Sequence, residues 1–214
     1  MRLLYGFIIF LFSSASFSVE AKSAPVVVDA GNIYYIQDDR SNVQLTHSGH
    51  DHDPVISPDK KHITFIRVSS EVIPEDCRSF SNTSTPYGEQ IWIVDIEQKK
   101  ERLLVNNHFS CSKPMEMIID PHYLTFSPDG KTLYFLTSAW ATSGAVHAVK
   151  IANAQQHYLL PANSLKVVAD GEYKGDLIVN QHRYLIGGGS YDWYWLFTPE
   201  GKEIGPLGEE SSIK

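Results

Sequence analysis

Long helical patterns are missing from this sequence. Proline and glycine recur along its 214 residues and interrupt nearly every stretch that could sustain a helix. Met115–Asp120 allows one turn at most. Basic clusters are missing too. The net charge is −7 and the 18 Lys and Arg residues are scattered, so the surface repels nucleic acid. Beyond the N-terminus no apolar run is long enough to cross a bilayer. No Gly-x-Ser-x-Gly elbow occurs, which excludes a hydrolase nucleophile of that kind. Gly187–Gly188–Gly189–Ser190 lacks the Lys and the following helix of a phosphate loop, and its glycines suit a tight turn instead.

Cysteine is scarce but present in an even number. Cys77 and Cys111 stand 34 residues apart. The N-terminus supplies their context. Arg2 precedes an apolar run from Leu3 to Phe12. Small residues follow from Ser13 to Ser16, and Val19 and Ala21 suit a cut after Ala21. This is the arrangement of a cleavable signal peptide over residues 1–21, leaving one domain over 22–214. The expected location is periplasmic or secreted, with no membrane span after cleavage. An oxidising compartment favours a Cys77–Cys111 disulfide over two buried thiols.

What the chain does contain is short strand-like runs. Val26–Asp29, Ile33–Ile36, Val43–Leu45, Pro54–Ile56, His62–Val68, Ile91–Ile96 and Leu103–Val105 come first. Tyr123–Phe126, Thr132–Leu136, Val146–Ile151 and His157–Leu160 follow. Asp176–Val179, Arg183–Ile186, Asp192–Phe197 and Glu203–Ile204 close the set, with Asn180–Gln181–His182 expected as a break. Ile91–Ile96 is apolar on both faces, as in a strand covered on both sides. Ser57–Pro58–Asp59–Lys60–Lys61 and Ser127–Pro128–Asp129–Gly130–Lys131 are one local unit repeated 70 residues apart. Each sits between two strand runs. Proline presets φ, Asp bonds its own backbone, and Gly130 supplies a left-handed angle if one is needed. Lys60 replaces that glycine in the first copy, so the turn there either avoids positive φ or carries strain. Four short strands per repeat, stacked radially, make the blade of a β-propeller.

The two units, extended to Ile56–Phe65 and Phe126–Phe135, resemble the WD40-like repeats of TolB-type β-propellers. The strand Ile91–Trp92–Ile93–Val94–Asp95 and the pair Leu45–Thr46 fit the same repeat. The expected fold is therefore all-β: a small or incomplete β-propeller of about three and a half to four blades. Residues 32–46 give two outer strands of one blade. Residues 53–105, 122–160 and 174–205 give a four-strand set each. Val26–Asp29 is the candidate for a missing strand. A closed, irregular four-blade ring is the favoured form. An open arc whose exposed edges pair with a second chain is the alternative.

The richest polar cluster is His47–Asp53. His50, His52 and Asp53 could offer two imidazoles and a carboxylate to a zinc-class or manganese-class ion, or form a hydrated turn. Tyr191, Trp193 and Trp195 make an aromatic cluster that suits blade core or, where exposed, a sugar or peptide. Trp140, in the Ser138–Gly144 loop, is hardest to explain as core and is the first aromatic to test for binding. No cofactor is implied. The resemblance implies a non-catalytic interaction or scaffold module with an envelope or secreted protein as partner, acting as a monomer or a strand-paired dimer. The alternative is a metal-assisted lyase or hydrolase acting on carbohydrate.

Overall fold

Each repeat unit folds into an antiparallel sheet whose strands follow one another in chain order. The computed structural model describes residues 25–82 and 85–209; the expected signal segment, 1–21, lies outside them. The first sheet holds β1 (Val26–Asp29), β2 (Asn32–Ile36) and β3 (Asn42–Gln44). The second holds β4 (Asp51–Ile56), β5 (His62–Val72), β6 (Tyr87–Asp95) and β7 (Glu101–Val105). The third holds β8 (His122–Phe126), β9 (Thr132–Thr137), β10 (Gly144–Lys150) and β11 (Gln156–Ala162). The fourth holds β12 (Ser164–Val167), β13 (Leu177–Tyr184), β14 (Ser190–Phe197) and β15 (Glu203–Gly208). The helix among the described residues is a 3-10 turn at Glu75–Phe80.

Apolar residues on both faces of the sheets explain the stacking. Ile33 and Leu45 of the first sheet meet Ile63, Phe65 and Val94 of the second. Ile66, Ile91 and Ile93 then meet Leu124, Phe126, Leu133 and Phe135 of the third. Tyr134, Leu136, Val146 and Ala148 meet Leu165, Leu177, Val179 and Trp195 of the fourth. Each fully buried Ile or Phe contributes about 1.5–3 kcal/mol of transfer free energy. The first strands β4, β8 and β12 touch one another in succession, as innermost strands of a propeller do. The chain is thus a small, incomplete β-propeller.

The repeated turns have one geometry. Ser57 Oγ donates to Asp59 at 2.6 Å and accepts from the His62 amide at 3.0 Å, and Asp59 also accepts from the Lys61 amide. Ser127, Asp129, Lys131 and Thr132 repeat these bonds at 2.7, 3.1 and 3.0 Å. Serine and aspartate therefore replace the ladder bonds that the turn removes. The fourth residue needs positive φ in both copies, +70° at Gly130 and +58° at Lys60. Lys60 is strained. Lys60→Gly is expected to stabilise the protein by about 0.5–1 kcal/mol, the relief of the left-handed angle exceeding the entropy glycine costs. Urea denaturation would reveal it as a higher midpoint at unchanged slope; a lower midpoint would contradict the strain.

Two expectations change. The fourth sheet begins at Ser164, and β13 runs unbroken through Asn180–Gln181–His182. Those polar residues are paired: the Gln181 amide donates to the Pro161 carbonyl at 2.7 Å, and the Asn180 carbonyl accepts from the Asn163 amide. The break falls instead between β12 and β13, at residues 168–176, and Leu185 and Ile186 lie in the β13–β14 turn rather than in a strand. The favoured closed ring is also not completed by the described residues. Val26–Asp29 joins the first sheet as expected, pairing with β2. Among the described residues, however, the first and fourth sheets make no more than marginal contact. The β1–β2 turn meets the start of β4, where the Asp51 amide donates to the Gly31 carbonyl at 2.8 Å. In the third sheet it is the β9–β10 loop that meets the start of the next sheet, through Asn163 to Thr142 and Gly144. β1 thus matches a second strand, and among the described residues the first sheet has no innermost one. A Cβ on Gly31 would lie 2.1 Å from the Gly49 carbonyl oxygen, so only glycine permits this approach of the first sheet to the second.

Candidate functional site

An antiparallel meander sends alternate turns to opposite ends. The Ser-Pro-Asp turns and the turns after the third strands share one face, tied by bonds from Ile96 N to Lys61 O and from Ile151 N to Lys131 O. The β5–β6 and β9–β10 loops, the β13–β14 tip and the links between sheets share the other, called here the connector face. The connector face carries two long insertions, the first between β5 and β6 at residues 73–86 and the second between β7 and β8 at residues 106–121. Cys77 and Cys111 join them, as expected, with Cα atoms 5.2 Å apart. Ile73, Cys77, Met117 and Ile119 form a satellite core under the bridge, with Phe80 and Phe109 packed on it.

Beside this core lies a cleft of about 560 Å³. Its walls come from the first insertion (Ser79, Asn82), from His122 at the start of β8, from the β9–β10 loop (Ser138, Trp140) and from Asn163. Behind the wall stands Asp120, 8 % exposed. Its carboxylate accepts from Ser81 Oγ at 3.0 Å, from Ser138 Oγ at 3.2 Å and from the Asn82 amide. Burial pushes this carboxyl above its ordinary range. The Asn82, Ser81 and Ser138 bonds oppose the rise, and the nearby Glu89 charge adds to it. Asn82 Nδ2 donates to Ser138 Oγ at 3.1 Å, so the first insertion is fixed to the β9–β10 loop.

His122 Nδ1 lies 2.7 Å from the Asp120 carbonyl. A carbonyl only accepts, so Nδ1 carries a proton, and in the neutral tautomer that this bond selects the lone pair lies on Nε2. Asp120 and Tyr123 flank this histidine with φ of +49° and +51°. For tyrosine that angle is costly, and such strain concentrates at functional positions. The same bulge recurs in β4. His52 and His122 each stand five residues before the serine of the repeated turn, and Asp53, at φ +48°, occupies the place of Tyr123. Counting back from the two serines would have found His122 in the sequence. Asp120 and Glu89 carried no such signal.

The His50, His52 and Asp53 donor atoms do not converge on one point among the described residues, although His52 and Asp53 touch. His50 is exposed. His52 Nδ1 contacts Asp53 at 3.1 Å and Nε2 contacts Glu89 at 3.2 Å, so both ring nitrogens are occupied. Hydrogen bonding to Glu89 raises the His52 pKa, against burial, with Asp53 assisting. Asp51 is held by Arg67 in a two-pronged pair at 2.5 and 2.9 Å. Among the described residues, the group of three whose donor atoms converge is Asp76, Cys77 and Cys111, two of which form the disulfide.

The aromatic candidates divide. Trp195 is 8 % exposed, packs in the core and lies under Arg183, whose guanidinium is 3.4 Å from the ring centre; it is not available to a ligand. Tyr191 is half-buried and meets the exposed Trp193 edge-on at 5.2 Å. Beyond them Tyr184, Leu185 and Ile186 are exposed at the hairpin tip. Trp140 is 37 % exposed in the cleft. It ends a ladder of rings. Phe135 stacks on the buried His147 at 5.3 Å, His147 meets Tyr158 at 5.9 Å, and Tyr158 meets Trp140 at 6.3 Å.

No protein-family model matches the sequence, and no curated protein is significantly similar to it. Solved structures do match in shape. Dipeptidyl peptidase 4 from Porphyromonas gingivalis is 12 % identical with a TM-score of 0.59, over 86 % of this chain and 31 % of that one. TolB from Acinetobacter baumannii is 15 % identical with a TM-score of 0.49, over 84 % and 41 %. The β-propeller domain of the Trilobed protease from Pyrococcus furiosus is 13 % identical with a TM-score of 0.45, over 75 % and 42 %. The chain spans less than half the length of each of these structures, and the likeness is one of fold.

Proposed function

We propose that this chain is an exported, non-catalytic binding module that docks an envelope or secreted protein through its connector face. The observation that carries the reading is the asymmetry of the two faces. Both insertions, their disulfide, the cleft and the exposed Trp140, Trp193 and Ile186 belong to the connector face. The opposite face is built of short, repeated, self-satisfied turns. Exposed aromatic side chains in a recessed polar setting are the usual anchors of protein recognition. The signal-like segment at residues 1–21 and the disulfide support export. Among the described residues no helix is long and apolar enough to cross a membrane.

A photo-crosslinking residue placed at Trp193 or Ile186, in protein exported by its own leader, should trap one discrete protein adduct. The same residue at Lys61, on the opposite face, should trap none. Adducts of equal yield from both faces, or none from either, would sink the proposal.

A further inference from the structure

The geometry points to the Trp140 cleft as a binding site for a neutral saccharide unit, stacked on the indole and hydrogen-bonded by the surrounding hydroxyls and amides. This goes beyond protein docking on the connector face and does not depend on it.

The lining sets the ligand's charge. Among the described residues no lysine, arginine, aspartate or glutamate lines the cleft. A charged ligand would find no opposite charge on the walls. Asp120 behind them has its carboxylate engaged by Ser81, Asn82 and Ser138. What the walls do offer is a set of neutral polar groups: the Ser79 hydroxyl, the Asn82 carboxamide and the His122 imidazole, set beside Ser138 and Asn163, whose side chains are engaged in holding the walls. Such a set suits hydroxyl groups, which both donate and accept. At about 560 Å³ the space is of the size that small-molecule sites occupy.

The platform sets the ligand's shape. A sugar ring presents a face of C–H groups that packs on an aromatic face, while its rim of hydroxyls needs polar neighbours. Trp140 is held for that use. Its amide donates to the Ser143 carbonyl at 2.8 Å, closing a short loop, and Tyr158 supports its ring edge-on. The Asn163 side chain braces the same loop by donating to the Thr142 carbonyl at 3.0 Å. The indole is thus preorganised rather than free on the surface, which lowers the entropy lost on binding. The bulge strain on either side of His122 fits the same purpose, since it places that imidazole at the wall.

Saturation-transfer NMR and intrinsic fluorescence titration of the protein with N,N′-diacetylchitobiose and with maltose would test this. Ethanolamine serves as a cationic probe. At least one disaccharide should bind saturably, with saturation transferred mainly to one C–H face. Trp140→Ala should weaken binding about tenfold, Trp140→Phe less, and Trp193→Ala not at all. The thermal midpoint of Trp140→Ala should stay close to that of the parent, which separates lost binding from lost fold. Three results would overturn the inference: no saturable binding of either disaccharide up to its solubility limit, binding unchanged in Trp140→Ala, or ethanolamine bound more tightly than either sugar with the same Trp140 dependence. Because the crosslinking assay reads a protein partner and this one reads a free sugar, each can fail without the other.

Discussion

The Cys77→Ala, Cys111→Ala double variant is expected to lose about 3–4 kcal/mol of stability, by the loop-entropy relation for a bridge closing a 34-residue separation. The loss arises in the unfolded chain, which gains freedom once the link is gone. A native-state loss accompanies it. The bridge is the covalent part of a satellite core in which Cys77 and Met117 are fully buried. This core holds the first insertion, and with it Ser79 and Asn82, against the cleft. Saccharide binding should therefore weaken in the double variant even at temperatures where the sheets remain folded. Urea unfolding with and without reductant would measure the effect. A midpoint insensitive to reductant would mean that the insertions are held by their apolar contacts alone.

The second large effect is a loss of stability on acidification, centred on His147. This ring is fully buried between Phe135 and Tyr158. Gln156 Nε2 donates to Nδ1 at 2.8 Å, so Nε2 carries the proton and donates to Thr137 Oγ1 at 3.1 Å. Thr137 in turn donates to the Met117 carbonyl. Every site on the neutral ring is used, and a second proton would face the Gln156 amide. Burial, with a smaller contribution from the His157 charge, holds the pKa down at about 4. In the unfolded chain the imidazole titrates near ~6.5. Below that value the unfolded state takes up a proton that the folded state refuses. Stability that is fully present above pH ~6.5 is therefore lost as the pH falls, until the folded ring also titrates near 4. The loss across that window is on the order of 3 kcal/mol. Other groups act in the opposite sense, His52 and Asp120 among them. His52 has a raised pKa and contributes stability below its unfolded value. Asp120, raised by burial, contributes stability that is present at low pH and lost as the pH rises. His147→Gln should be less stable at neutral pH but lose less between pH ~6.5 and ~4 than the parent. An unchanged pH profile in that variant would assign the acid sensitivity to other groups. Because His147 and Tyr158 support the Trp140 platform, indole fluorescence should follow the same titration.

How far these features could be read beforehand depended on the range of the interactions that create them. The Ser-Pro-Asp turns are local: Ser57, Asp59 and Lys61 bond within a few residues, and both copies were legible together with the strands around them. Apolar faces on Ile91–Val94 announced a sheet covered on both sides, and stacked sheets do cover it. The fourth sheet was misread because Asn180, Gln181 and His182 look like a turn. Their partners, Pro161, Asn163 and Asp192, come from other strands and links, which the local pattern does not show. Tyr191, Trp193 and Trp195 suited blade core or an exposed platform, and the pattern could not divide them. Residues two apart on a strand share a face, so alternation along β14 does not separate the buried Trp195 from the exposed Trp193; position along the strand does. Trp140 stood out as an aromatic in a polar loop, and it does line the cleft. The buried carboxylate of Asp120 was not legible, because Ser81, Asn82 and Ser138 reach it from distances of 39, 38 and 18 residues.

The arc of sheets has a consequence for biosynthesis. Each sheet is a chain-continuous unit, and a separate apolar layer cements the first to the second, the second to the third and the third to the fourth. Nearest-neighbour assemblies of this kind add their terms along one axis. A ribosome releases the N-terminal sheet first, and every later sheet emerges with its docking face already waiting. Assembly can then advance like a row of bricks laid against a standing wall, with no step that must wait for the last strand. The cross-link from Cys77 to Cys111 joins two segments that both precede β8, so its closure needs no strand of the third sheet. In an oxidising compartment the bridge can therefore fix the second sheet's loops while the wall for the third is still being finished.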